Sequence, residues 1–398
     1  MAYGTVGTPR FYIDIPHYLR EIGFEQLYDP TNYTDHYNFD RELFPREVFD
    51  LNPVTIYEKY FSTTENTNFN PYPYNFLIDR GQKLNYWAIL NHNYGGLTIQ
   101  PHFHRANRVY NEPQEWLDCL PNHTEIVNAD GAYNSQTYTP RWNGFSITEL
   151  TNSDTFQPTS KGHNKDDLIS CHLYFDADLS GMGAGAPANS KLGCMSIGKY
   201  YDMPHSADLN LTMSREFGKI DEMTTINGST VSNTMESKPK WGDLGAWELA
   251  NHNTDYQDFS RKGRRVWNLT FSYIDQGDLY SSNELVGTIA SKIGGTYMPK
   301  FSEVTHDYAT QQAQLDSDDI VESQDSGFFK FNINDESSFF SEVWHKTLGG
   351  TLKFIFQPNN LDANPDQFCI AKFRNNSLKA DRIAHNVYKV SLVIEEVW

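Results

Sequence analysis

Two stretches near the C-terminus, RRVWNLTFSYI and NVYKVSLVIEEVW, alternate apolar and polar residues along their length. A period of two permits little except a half-buried antiparallel strand, because only an extended chain sends successive side chains to opposite faces. In the first, Trp267, Leu269, Phe271 and Tyr273 form the expected core face, with Asn268, Thr270 and Ser272 opposite. In the second, Tyr388, Val390, Leu392 and Ile394 face inward, while Lys389, Ser391 and Glu395 face outward. TLKFIFQP and FCIAKF add two strands. Upstream, KLNYWAILNHN, LISCHLYFDAD and KLGCMSIGKYY supply three more, and Cys171, Leu173 and Phe175 share one face of the second. The intervening loops are rich in Asn, Asp, Pro and Gly, which favours a sandwich or jelly roll over a parallel α/β sheet.

The expected fold class is therefore mainly β, with antiparallel β-sandwich domains behind an extended N-terminal arm. Residues 1–75 make the arm: after a short helix from Pro16 to Glu21 closed by Gly23, its many Tyr and Phe residues follow neither helical nor strand period. Its aromatics are too apolar for a solvated tail, so it is expected to lie against its own domains or a neighbouring copy. Residues 76–204 read as a jelly-roll-like sandwich and residues 205–398 as a second sandwich. The second holds one helix, with Phe340, Val343, Trp344 and Leu348 as its apolar stripe and Gly349-Gly350 as its stop. A Gln/Asp-rich stretch, about 305–326, reads as an acidic loop.

Charge narrows the function. Against 51 Asp and Glu stand 32 Lys and Arg, a formal net charge of −19, which argues against specific nucleic-acid recognition through a basic face. No apolar run approaches the roughly 20 residues of a membrane helix, and MAYGTVGTPRFYIDIP lacks the blocks of a signal peptide, so neither membrane insertion nor secretion is expected. Cys119, Cys171, Cys194 and Cys369 form no C-x-x-C pair and read as small buried hydrophobes of a chain folded in a cytoplasm.

Few residues point to chemistry. His102-Phe-His104 puts two imidazoles on one face of a strand, half of a metal site, but no recognisable spacing supplies a third ligand. His92, within LNHN, reads as a turn residue whose ring and flanking amides bond the backbone. SGMGAGAP, Ser180 to Pro187, follows a strand but leads into another, so no helix N-terminus awaits a phosphate. G-x-S-x-G, H-E-x-x-H and P-loop motifs are absent. Among the acids, Asp118, Asp130, Asp176, Asp178, Glu395 and Glu396 could furnish a glycosidase pair, though sequence cannot show their separation. Trp87, Trp116 and Trp142 are candidate platforms for glycan stacking, with the hydrophobic core as the alternative place for each. Trp267, Leu269, Phe271, Tyr388, Val390 and Leu392 are the expected core. No catalytic residue, cofactor or metal is expected.

The C-terminal block, RRVWNLTFSYI, a helix ending in Gly-Gly, LKFIFQPNN and DQFCIAKFRNNSLKADRIAHNVYKVSLVIEEVW, resembles a bacteriophage tail-tip β-domain of the distal tail and minor tail proteins, down to the acidic-Val ending Glu395-Glu396-Val397. IGKYYDMPHSADLNLTMSREF and NYWAILNHN are similar to predicted tail proteins of marine phages, and the LNHN strand to carbohydrate-binding jelly rolls. The resemblance covers roughly residues 76–398; the aromatic arm departs from it. It implies a non-enzymatic structural virion protein, a subunit of a tail-tip or baseplate ring, usually a hexamer, joining the tail tube to hub or receptor-binding proteins. Such a chain would be assembled in the host cytoplasm and reside in the virion tail. An acidic lumen would let DNA slide through the ring. Two other readings stay open: an adsorption module that binds host surface glycan, and a polysaccharide hydrolase.

Overall fold

Buried strands must find ladder partners for nearly every backbone N–H and C=O, and most strands here find them in one antiparallel sheet. The computed structural model describes residues 6–22, 46–53, 55, 57–60, 74–77, 84–96, 99–106, 117–119, 122–127, 139–151, 168–175, 189–216, 220–234, 264–280, 338–384 and 386–397. Most of the expected arm, the SGMGAGAP run and the acidic loop lie outside the described residues.

In chain order the strands begin with β1 (Arg10–Asp14), β2 (Tyr57–Tyr60), β3 (Tyr74–Leu77), β4 (Tyr86–His92), β5 (Ile99–Ala106), β6 (Leu117–Cys119) and β7 (Asn122–Val127). There follow β8 (Gly144–Thr151), β9 (Leu168–Phe175), β10 (Asn189–Leu192), β11 (Cys194–Asp202), β12 (Thr212–Glu216), β13 (Ile220–Thr224) and β14 (Thr230–Thr234). The chain closes with β15 (Arg264–Asp275), β16 (Phe354–Gln357), β17 (Cys369–Phe373), β18 (Ala380–Ala384) and β19 (Val387–Glu396). Helix α1 spans Ile15–Glu21, α2 spans Gln276–Leu279, and a π-helical segment spans Phe340–His345.

The large sheet has 11 strands in the order β12-β15-β19-β17-β16-β1-β11-β4-β8-β7, with β18 beside β19. Strands from all three expected segments meet in it. β1, from the expected arm, pairs with β11 on one side and β16 on the other, so the boundaries expected at 75/76 and 204/205 do not divide the sheet. Residues 10–14 are a central strand, not part of an extended arm.

Two hydrophobic cores lie on opposite faces of the central strands. Phe11 and Ile13 join Trp267, Leu269, Phe271, Phe356, Val390, Leu392 and Ile394 in the first. Tyr12 joins Tyr86, Leu90, Phe145, Ile147, Ile355 and Ile370 in the second. The sheet curls over the second core: Phe368, just before β17, has its ring centroid 5.4 Å from that of Phe145 on β8. Five inter-strand steps separate β17 from β8, about 24 Å in a flat sheet.

The six residues expected in the core, Trp267, Leu269, Phe271, Tyr388, Val390 and Leu392, are all buried. Tyr273, expected beside them, is not. The register shifts between Phe271 and Ile274, so β15 carries one residue more than β19 there. This bulge puts Tyr273 at φ +64° and 76 % exposed, and Ile274 takes its place in the core.

Buried charges tie the elements together. Glu342, on the π-helical segment, accepts hydrogen bonds from Lys346 at 2.7 Å and from Lys199 of β11 at 2.6 Å, which fixes that segment on the sheet. Arg265 donates to both carboxylate oxygens of Glu396 and to the carbonyl of Phe368. Asp14 caps α1, accepting from the His17 amide at 3.3 Å, while Pro16 occupies the first turn. Burial holds the Asp14 carboxyl well above the usual carboxylate range, and burial with the charge of Arg20 lowers His17 to about 4.

Trp267→Ala is expected to cost about 3–5 kcal/mol in urea unfolding, and Tyr273→Ala under about 1 kcal/mol. The reverse order would mean the bulge is misplaced. Burial makes the folded Asp14 carboxyl hold its proton to higher pH than the unfolded one, so its cost is absent below the unfolded value near 3.8 and grows as pH rises. Asp14→Asn keeps the cap acceptor and should raise the thermal midpoint most at neutral pH, with the gain vanishing near pH 4. His17 has the opposite sign: the unfolded ring gains a proton below about 6.5 that the folded ring refuses until about 4. His17→Gln should therefore stabilise relative to the native chain only on acidification, as thermal melts across pH would show.

Candidate assembly surface

An open sheet ends in two edge strands whose outer N–H and C=O groups have no ladder partner. The path of the large sheet ends at β7 and β12, and the two ends differ. At β7, exposed Glu125 is paired with Arg141 at 3.0 Å. All five residues of β12 are exposed, and β12 continues a core-facing row outward. Met213 stands directly opposite Trp267, yet Trp267 is buried and Met213 is half exposed. Leu211, immediately before β12, and Leu209, in the turn closed by the Leu211 amide on the Asp208 carbonyl, are also exposed, Leu209 completely. Next along the chain, the β13–β14 hairpin carries Met223 and, in its turn, Ile226, both strongly exposed. Its turn is closed by Thr225, whose hydroxyl accepts from the Ser229 amide at 3.1 Å, and by Gly228 at φ +77°. The apolar row thus runs past the covered core and stops uncovered, a pattern that marks a contact surface. No sequence signal marked β12, because TMSRE holds a single apolar residue.

The other expected site residues are scattered. Trp87 is 1 % exposed, its ring lying inside the sheet's packing, so it offers no face to a sugar. Trp142 is 45 % exposed beside Asn143, whose side chain accepts from the Gly95 amide. Trp116, Asp130, Asp176 and Asp178 lie outside the described residues. Glu395 and Glu396 do not form a carboxylate pair for catalysis: Glu396 is buried against Arg265, and Glu395 lies 3.3 Å from Arg374 and 3.7 Å from Lys372.

The LNHN residues form a corner. Asn91, at φ +57°, donates to the Pro53 carbonyl; the His92 ring accepts from the Tyr94 amide; and the Asn93 side chain accepts from the Lys191 amide. Burial lowers His92 to about 3, leaving a neutral structural ring. Cys194 and Cys369 are buried and free, their thiols pushed up by burial. Among the described side chains, no three His, Cys, Asp or Glu gather to hold a metal ion. No helix among the described residues is long and apolar enough to cross a membrane.

Comparison of the chain with protein-family models, curated proteins and solved structures finds no match.

Because Met213 is half exposed in the free chain, Met213→Lys should change its unfolding free energy by under about 0.5 kcal/mol. A loss above about 2 kcal/mol in urea titration would mean that β12 is packed inside the monomer.

Proposed function

We propose that this protein is a structural subunit that assembles with copies of itself through the β12 edge, as a ring component of a bacteriophage tail tip or baseplate. The observation that carries the reading is the apolar row that passes from buried Trp267 to half-exposed Met213 and Leu211. A soluble chain gains little from an uncovered apolar edge, whereas a second copy laid along it would bury that row and pair the free backbone. A copy that laid its own β12 along this edge would stop at a dimer, whereas an unlike surface of the next copy makes the heterologous contact that closes into rings. The resemblance of the C-terminal block to tail-tip domains supplies the setting, with the tail tube and hub as partners. The net charge of −19 suits a channel that repels DNA phosphates. Assembly is then the whole of its mechanism, without turnover.

Exposed Trp142 favours a second reading, in which the same virion protein stacks a host glycan ring on this side chain. A glycan array with the full chain and with Trp142→Ala tests it, and silence across the array would remove it.

The assembly reading is tested by light scattering of the full chain across concentration. A closed oligomer, about six copies, is expected, and Leu211→Lys with Met213→Lys should shift it to monomer. Removing the first 75 residues is unsuitable as a test, because it would delete β1 from the middle of the sheet. A native chain that remains monomeric, alone and with purified tail-tube protein, would overturn the reading.

A further inference from the structure

His102-Phe-His104 offers two ligands of a metal site, and the strand register supplies the rest. β5 lies between β9 and β6 in the four-stranded sheet. His102 stands directly opposite His172 of β9, and His104 directly opposite Asp118 of β6. Directly opposite residues of an antiparallel pair share a face, and so do residues two apart on one strand. His102, His104, His172 and Asp118 therefore occupy neighbouring positions on one face. The same row continues through Ser170 to Asn75 on β3.

The other face is of opposite character. Phe103 stands between Cys171 and Cys119, with Leu173, Ile169 and Leu117 in adjacent positions. Ile99, on that face, is fully buried. Along β5 one side carries Ile99, Pro101, Phe103 and Arg105 and the other Gln100, His102, His104 and Ala106, so the three histidines and the carboxylate share one side. No pairwise spacing in the sequence shows this, because 70 residues separate His102 from His172 and only strand pairing joins them.

We propose that His102, His104 and His172, brought onto one sheet face by the β9-β5 register, bind a single divalent transition-metal ion of the zinc class. Positions two apart on a strand are separated by about 7 Å and opposite positions by about 5 Å. A triangle of that size suits three imidazole ligands, whose bonds to zinc are about 2.0–2.1 Å long. Asp118 is not a fourth ligand: β9 and β6 flank β5 on opposite sides, which puts its position about 12 Å from that of His172. Three neutral imidazoles leave one tetrahedral position open, and the nitrogen set disfavours calcium and magnesium. Such an ion would cross-link two strands. The site is independent of the β12 edge.

The test uses the full-length chain, stripped with a chelator and titrated with Zn²⁺ by calorimetry, with Co²⁺ absorption to report coordination geometry. One ion per chain is expected, with a Kd of about 1 µM or tighter and an intense tetrahedral cobalt spectrum. Binding should weaken on acidification, since the ligand imidazoles must be neutral. His102→Ala and His172→Ala should each lower affinity by at least about tenfold, and Asp118→Asn should lower it less than either. His205→Ala, which changes a ring bonded to the Ser206 carbonyl, should leave binding unaltered. Circular dichroism checks each variant's fold, and His102→Asn and His172→Asn replace any alanine variant that unfolds. The proposal is overturned if the native chain takes up no stoichiometric zinc. It is equally overturned if folded His102 and His172 variants bind zinc as the native chain does.

Discussion

Five residues, Arg10 to Asp14, hold the two halves of this molecule together. A strand between two others must satisfy backbone groups on both edges, and when both faces are covered it must also bury side chains in both directions. β1 meets all four demands at once. Phe11 and Ile13 enter one core and Tyr12 the other, while the ladders to β11 and β16 join the middle of the chain to its end. Polar contacts fix its position along its neighbours: Arg10 donates to both oxygens of Asp202 and lies 4.0 Å from the Tyr200 ring centroid, and the Tyr12 hydroxyl donates to Gln357. Without this strand, β11 and β16 would become bare edges and each core would lose buried aromatic packing.

That same strand explains where sequence reading succeeded and where it did not. The long strands β15 and β19 were legible because each has one covered face and one wetter face, so their residues alternate. Their helix was legible in part: Phe340, Val343 and Trp344 lie on the π-helical segment, but it ends at His345, and Leu348, at φ +52°, lies in the turn that leads to Gly349 and Gly350, at φ +67° and +87°. β1 was not legible, because RFYID is buried almost throughout and alternation disappears when both faces are covered. Nor could the β15 bulge be read, since a single inserted residue reverses the faces after it without leaving a compositional trace. The expectation of two β domains reflects the two cores, but a sequence does not show that one sheet passes through both.

The buried polar groups follow the same geometry. Glu342 with Lys199 and Lys346, and Arg265 with Glu396, stand where an element that is distant in sequence must be held in one register. Such pairs add little net stability over apolar packing, but removing one partner strands a charge and is expensive. The acidic-Val ending thus has a local cause here: Glu396 closes the last strand onto Arg265 and, through it, onto the Phe368 carbonyl. Its neighbour Glu395 faces Arg374 and Lys372 instead. Two adjacent acids therefore belong to two different contacts, a division that sequence proximity alone would suggest joining.

Edges decide what a sheet of this size does next. The β7 end is blunted by the Arg141–Glu125 pair, a common means of keeping an edge from further pairing. At the β12 end, Glu216 reaches Arg374 in a like pair, and Met213, opposite buried Trp267, adds a half-exposed apolar side chain. Two copies meeting β12 to β12 would stop at a dimer, whereas β12 laid on an unlike surface of the next copy propagates from copy to copy, into a closed ring or an open filament. The proposed ring therefore requires the second arrangement.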